Sequence, residues 1–191
     1  MFSGCNLLIS LPENLLPATT LAENCYNRMF YNCSSLTAAP KLPATTLAPS
    51  CYSYMFSSCS SLTTLPENLL PATTLANGCY SNMFNGCKAL TTLPENLLPA
   101  TTLASSCYNY MFSRCTSLTN APKLPATTLP DYCYSDMFSY CSSLTNAPKL
   151  PATKLAQNCY SDMFSNCSKL KEIYCNAHYN ADGSEITTSI G

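Results

Sequence analysis

Along residues 47–59 the chain reads L-A-P-S-C-Y-S-Y-M-F-S-S-C, and apolar side chains fall four apart. Leu47, Cys51 and Met55 form one line, with Tyr52 and Phe56 beside it. An apolar stripe at that spacing predicts a short amphipathic helix. Pro49 and Pro130 stand just before the first cysteine of their units, where proline is tolerated at a helix start. Glu23 and Asp131 sit in that first turn and suit its dipole. Gly4, Asn32, Gly86 and Asn166 precede the second cysteine and accept the left-handed conformation that ends helices, whereas Arg114 and Tyr140 fill the same place elsewhere. The predicted helix is about two turns long. After it comes C-x-x-L-T-x-(A/L)-P, as in 59–66, which predicts a short strand near 62–64. Proline closes that strand because it has no N–H to give to a ladder.

The pattern recurs. The first cysteines of successive units are Cys25, Cys51, Cys79, Cys107, Cys133 and Cys159, at steps of 26, 28, 28, 26 and 26 residues. All 7 Met fall in one column and all 7 Phe in the next. The unit continues as x-A-P-K-L-P or x-L-P-E-N-L-L-P and then A-T-T-L, so the length variation falls in a loop that tolerates insertion. One such unit cannot bury its apolar face alone, which makes a stacked array the expected architecture. At strand spacing, the stack offers a face about 30 Å long. Met1 occupies the methionine column, so the chain is expected to start in mid-unit, as a piece of a longer protein or from an internal start. Localisation is therefore not read from this N-terminus.

Charge narrows the partners. Only 10% of the 191 residues are charged, the net charge is −1, and Lys and Arg form no run. Nucleic acid and anionic membrane both demand clustered cations, so neither is an expected partner. No apolar stretch reaches a membrane span, so no membrane insertion is expected.

The 14 cysteines admit three readings: disulfides, metal ligands, or small buried apolar groups. Within one helix the paired cysteines would stand about 12 Å apart and could not bond. A column of seven (Cys5, Cys33, Cys59, Cys87, Cys115, Cys141, Cys167) cannot pair completely, and the repeats contain no histidine. The buried reading is favoured. The second column is expected to cap backbone carbonyls of the neighbouring coil, and the first to pack with Met and Phe. No cofactor is expected.

C-x-x-L-x-x-L headed by Asn or Cys is a leucine-rich-repeat signature. The whole unit, M-F-x-x-C-x-S-L-T followed by L-P, resembles the BspA-type bacterial leucine-rich repeat over residues 1 to about 174. It departs from that pattern in having Met-Phe where Ala-Phe is usual, and in its longer unit. The resemblance implies an α/β fold: a right-handed leucine-rich-repeat solenoid with a short strand and a short helix per 26–28-residue coil. Residues 1–174 would form it, about six and a half repeats, and 175–191 a C-terminal tail or hairpin cap. It further implies a non-enzymatic protein, secreted or on the surface of a host-associated bacterium, that binds a protein or glycan. Two alternatives stand beside that function: a structural spacer presenting another domain, and a thiol-rich redox or metal-binding protein. End-to-end self-association through uncapped repeat ends is a further expectation.

Candidate ligand-facing residues fall in two columns, one that varies most between units and one that would line the concave face. The position before Met holds Arg28, Tyr54, Asn82, Tyr110, Asp136 and Asp162. The strand-side column holds Thr37, Thr63, Thr91, Thr119 and Thr145, an uncharged hydroxyl ribbon suited to hydrogen bonding. On the loop, Lys41, Lys123 and Lys149 alternate with Glu13, Glu67 and Glu95 in a mild acidic-to-basic gradient. No catalytic constellation is present. Cys175 and His178 form an isolated C-x-x-H, read as coincidence. The Asp182-Gly183 turn predicts the hairpin cap, and a calcium loop there has only weak support.

Overall fold

The computed structural model describes residues 1–178, and among them no residue lies in a helix or an extended strand. The hairpin and calcium-loop expectations, which concern the tail from Tyr179 onward, lie outside the described residues.

The predicted helix is corrected by the backbone angles. Residues 79–87 carry positive φ at Asn82 (57°), with Gly78 (58°) before them and Gly86 (74°) near their end. The same places are left-handed in every full unit, at Ser50, Tyr54 and Ser58 or at Tyr132, Asp136 and Tyr140. A left-handed residue at every fourth position is incompatible with a right-handed helix. The chain instead makes successive tight turns. Cys79, Ser81, Met83, Asn85 and Cys87 each donate N–H to the carbonyl three residues earlier, at 3.0–3.2 Å. Turns with the left-handed residue in third place, as type II turns require, alternate with turns that lack one.

The intervening N–H groups leave the coil. Gly78 donates to Ser105 O (2.9 Å), Tyr80 to Cys107 O (3.1 Å), Asn82 to Asn109 O (2.8 Å), Phe84 to Met111 O (2.9 Å) and Gly86 to Ser113 O (2.8 Å). Each turn ribbon thus satisfies half its donors internally and half on the next coil. Buried backbone groups must be paired, and this arrangement pairs them with neither helix nor sheet.

The predicted strand is likewise reduced, to isolated parallel bridges such as Ala38 with Thr64 and Asn120 with Asn146. The prolines that follow have no N–H to extend a ladder. A second set of bridges joins the A-T-T-L segments, Thr20 with Thr46 and Thr74 with Thr102. The coil register continues through the Leu150–Cys175 bridge to His178, whose N–H meets Thr153 O at 3.0 Å.

Side chains follow the same stacking. Seven phenylalanine rings from Phe2 to Phe164 lie one on another, with centroids 5.6–5.9 Å apart and planes within 11°. Six tyrosines from Tyr26 to Tyr160 also stack, with centroids 5.6–5.9 Å apart and planes within 12° except for Tyr26 on Tyr52, at 27°. Offset stacks of this kind add to the burial of each ring. Met55, Met83, Met111 and Met137 are fully buried beside them, as are Leu62, Leu90, Leu118 and Leu144. In the long loops the two extra residues build a turn (Leu97 N–H to Pro94 O, 3.1 Å) and bury an added leucine, Leu69 or Leu97.

The second cysteine column caps carbonyls as expected. The Sγ of Cys33, Cys59, Cys87, Cys115, Cys141 and Cys167 lies 3.1–3.2 Å from the carbonyl oxygen of Phe2, Phe30, Phe56, Phe84, Phe112 and Phe138 in turn. That oxygen also accepts an in-coil amide, for example Cys59 N–H on Phe56 O at 3.1 Å. Amides therefore point toward the C-terminal neighbour and thiols toward the N-terminal one. All fourteen thiols are free, with Cys5 and Cys25 exposed and Cys175 half-buried. Burial pushes the Cys51 thiol up to about 11 and those of Cys59 and Cys107 to about 12.

Candidate functional site

The turn ribbons place three left-handed columns on the outside of the stack, because an αL residue throws its side chain away from the turn's buried edge. The middle column is the one singled out by variability: Arg28, Tyr54, Asn82, Tyr110, Asp136 and Asp162, with φ of 52–57° throughout. Its members are neighbours. The Arg28 guanidinium lies 4.7 Å from the Tyr54 ring centroid and 5.9 Å from that of Tyr31. Burial, then interaction with the Asp136 carboxylate, pushes the Tyr110 hydroxyl up. Asn82 is buried rather than outward-facing: its Oδ1 accepts from Asn85 Nδ2 (3.2 Å) and its Nδ2 donates to Ser81 Oγ (3.0 Å). Ser135 and Ser161 donate to the carboxylates of Asp136 and Asp162 at 3.0 and 3.2 Å.

The flanking left-handed columns were not among the candidate ligand-facing positions, yet they too carry exposed bulk. Tyr132 and Tyr140 are exposed, as is Arg114, whose guanidinium lies 5.4 Å from the Tyr140 centroid. The signal was available, since these positions lie four residues either side of the middle column.

On the strand-side column, the hydroxyl ribbon is partly spent on the fold. Thr37 donates to Ile9 O (3.1 Å), Thr119 to Thr91 O (3.0 Å) and Thr145 to Thr119 O (3.2 Å). These hydroxyls keep acceptor capacity outward and lose their donor to the preceding coil. Thr63 and Thr91 are exposed in the same line.

The loop charges pair where a lysine coil follows a glutamate coil. Lys41 meets Glu13 at 2.8 Å and Lys123 meets Glu95 at 2.9 Å, all of them largely exposed. Such pairs add little to stability, and they break the expected gradient into local couples. Cys175 is bridged to Leu150 through the backbone and His178 lies on the following rung, so the C-x-x-H follows the coil path.

A family model described as BspA type leucine rich repeat region, in six copies, matches residues 1–94 and 72–184. No curated protein matches the chain. Among solved structures, a leucine-rich repeat protein from Bacteroides ovatus is similar at 15% identity and a TM-score of 0.38, over 94% of this chain and 64% of its own. A leucine rich cell surface protein from Faecalibacterium prausnitzii is similar at 18% identity and a TM-score of 0.32, over 89% and 59%. The chain thus spans less than two thirds of the length of either.

Proposed function

Because the chain belongs to the BspA-type leucine-rich repeat family, we propose that it is a non-enzymatic binding module, held outside or on the surface of a bacterial cell, that recognises a protein or glycan through its left-handed columns. A right-handed sense of coiling belongs to the same reading. One observation supports it above others: the columns divide their work. The Cys, Met, Phe, Tyr and Leu columns repeat with little change and are buried in the inner coils. The outer columns change from coil to coil among Arg, Tyr, Asn, Ser, Asp and Gly. Rigid aromatic anchors interleaved with small adaptable polar groups are what contact surfaces use.

The test is a glycan and protein array probed with the 1–191 chain and with Tyr110→Ala, Arg114→Ala and Tyr140→Ala variants. The reading expects at least one ligand whose signal drops in these variants. No ligand, or a signal indifferent to all three, overturns it.

The spacer alternative is favoured by how completely each coil satisfies its own neighbour, and a catalytic domain in the adjoining coding sequence would support it. Redox use of the thiols fits poorly, since the inner ones are buried, raised in pKa and engaged with carbonyls.

A further inference from the structure

Coils with long and short loops alternate unevenly, and only the loops at 121–125 and 147–151 are successive short ones. Where a short loop follows a long one, a backbone rung closes the step: Lys41 N–H on Glu13 O and Lys123 N–H on Glu95 O, each 2.9 Å. The lysine ammonium then folds onto the same glutamate. At the short-on-short step, Lys149 follows Lys123 and neither feature forms. Among the described residues, no bond joins Lys149 N–H to Lys123 O, and no carboxylate pairs with the Lys149 ammonium. The step opens into a trough of about 460 Å³ lined by Pro122, Pro125, Pro148 and Pro151 together with Lys123, Lys149 and Glu95. A second trough of about 450 Å³ lies on the same two coils, bordered by Thr127, Thr128, Thr153, Lys154 and Asp131.

We infer that this trough takes a carboxylate-bearing oligosaccharide, at a second site apart from the left-handed columns, a ligand class that rests on the binding-module reading above. Three lysines face two acidic residues across the pair of troughs, so the local balance favours an anion. Lys149 offers an ammonium and a backbone N–H without a competing acid, and charge-assisted bonds of that kind are the strong ones. The pyrrolidine walls match the flat C–H face of a sugar ring, and the exposed threonines of the adjoining trough suit its hydroxyls. An extended acidic peptide fits less well. Strand addition needs a row of unpaired backbone groups, and here Pro122, Pro125, Pro148 and Pro151 have no N–H to offer and Leu150 is already bonded to Tyr174 and Asn176.

Calorimetric titration with tetragalacturonate, its fully methyl-esterified counterpart and a poly-glutamate peptide tests this, using the whole chain and the variants Lys149→Glu and Lys88→Ala. Lys149 is exposed, so Lys149→Glu should fold, and circular dichroism checks that it does. The acid form should bind, the ester and Lys149→Glu should each weaken binding roughly tenfold or more, and Lys88→Ala should leave it unchanged. Equal binding of the ester, equal binding of poly-glutamate, indifference to Lys149→Glu, or no binding of tetragalacturonate overturns the inference. If the array still yields a ligand sensitive to Tyr110 or Arg114, only the trough assignment falls. If it yields none, the binding-module reading falls with it.

Discussion

Replacing Gly78 with alanine separates a stack of turns from a stack of helices. In a helix, Gly→Ala stabilises by about 1 kcal/mol. In the structure, Gly78 has φ of 58°, where an L side chain is strained by roughly 1–2 kcal/mol. Space is not the issue: the nearest atom to an added Cβ is Ser50 Oγ at 3.5 Å, an ordinary contact. Alanine also stiffens the unfolded chain, which offsets part of the strain by about 0.4–1 kcal/mol. The net expectation is a loss of up to roughly 1.5 kcal/mol. The reciprocal change, Ser106→Gly, occupies the same column at φ 56° and should be neutral to slightly stabilising. Thermal melts of the three proteins, followed by circular dichroism, read the difference. At this chain length each kcal/mol shifts the midpoint by roughly 2–4 °C. A rise in midpoint for Gly78→Ala together with a fall for Ser106→Gly would refute the turn-ribbon reasoning.

Other substitutions probe the columns. Phe84→Ala removes a fully buried ring stacked on both sides and should cost about 3–5 kcal/mol in urea unfolding. Tyr80→Phe should be neutral or stabilising, because the Tyr80 hydroxyl is buried without a hydrogen-bond partner, and a marked loss would reveal one. Cys87→Ala should cost about 1–2 kcal/mol through a small cavity and a lost S–H contact, whereas Cys5→Ala, exposed, should stay within about 0.5 kcal/mol. The thiols also set an alkaline limit. Unfolded thiols titrate near 9, while folded Cys51 holds its proton to about 11 and Cys59 and Cys107 to about 12. The folded chain therefore binds more protons above pH 9, so stability is full below that value and falls as pH climbs toward 11–12; denaturant midpoints against pH check this.

Much of the architecture was legible because the columns repeat. The Met, Phe and Cys registers alone implied stacking, and the cysteine-to-carbonyl caps followed from where the second cysteine stands. The helix was misread because four-residue and helical spacing differ little over a short stretch. A helix turns about 100° per residue, so strict fours drift about 40° per step. Leu47, Cys51, Met55 and Cys59 keep fours over three steps, a drift small enough that the width of a helical face nearly absorbs it, so burial of Cys51, Met55 and Cys59 does not separate the two and the left-handed residues at every fourth position do. The Gly and Asn before the second cysteine were correctly read as left-handed, yet the same geometry at Tyr54, Tyr110 and Arg114 was hidden by residues that seldom adopt it. Of the candidate site, the middle column was visible through its variability. The burial of Asn82 and the spent hydroxyls of Thr37, Thr119 and Thr145 depend on contacts between coils and had no local signature.

Couplings transmitted across hydrogen bonds offer the most direct check that coils complete one another. In nuclear magnetic resonance of the isotope-labelled chain, the Phe84 amide nitrogen should couple to the carbonyl carbon of Met111, and Phe56 to that of Met83, following bonds of 2.9 Å between coils. Coupling of Phe84 to the carbonyl of Tyr80, four residues back in its own unit, would contradict the account.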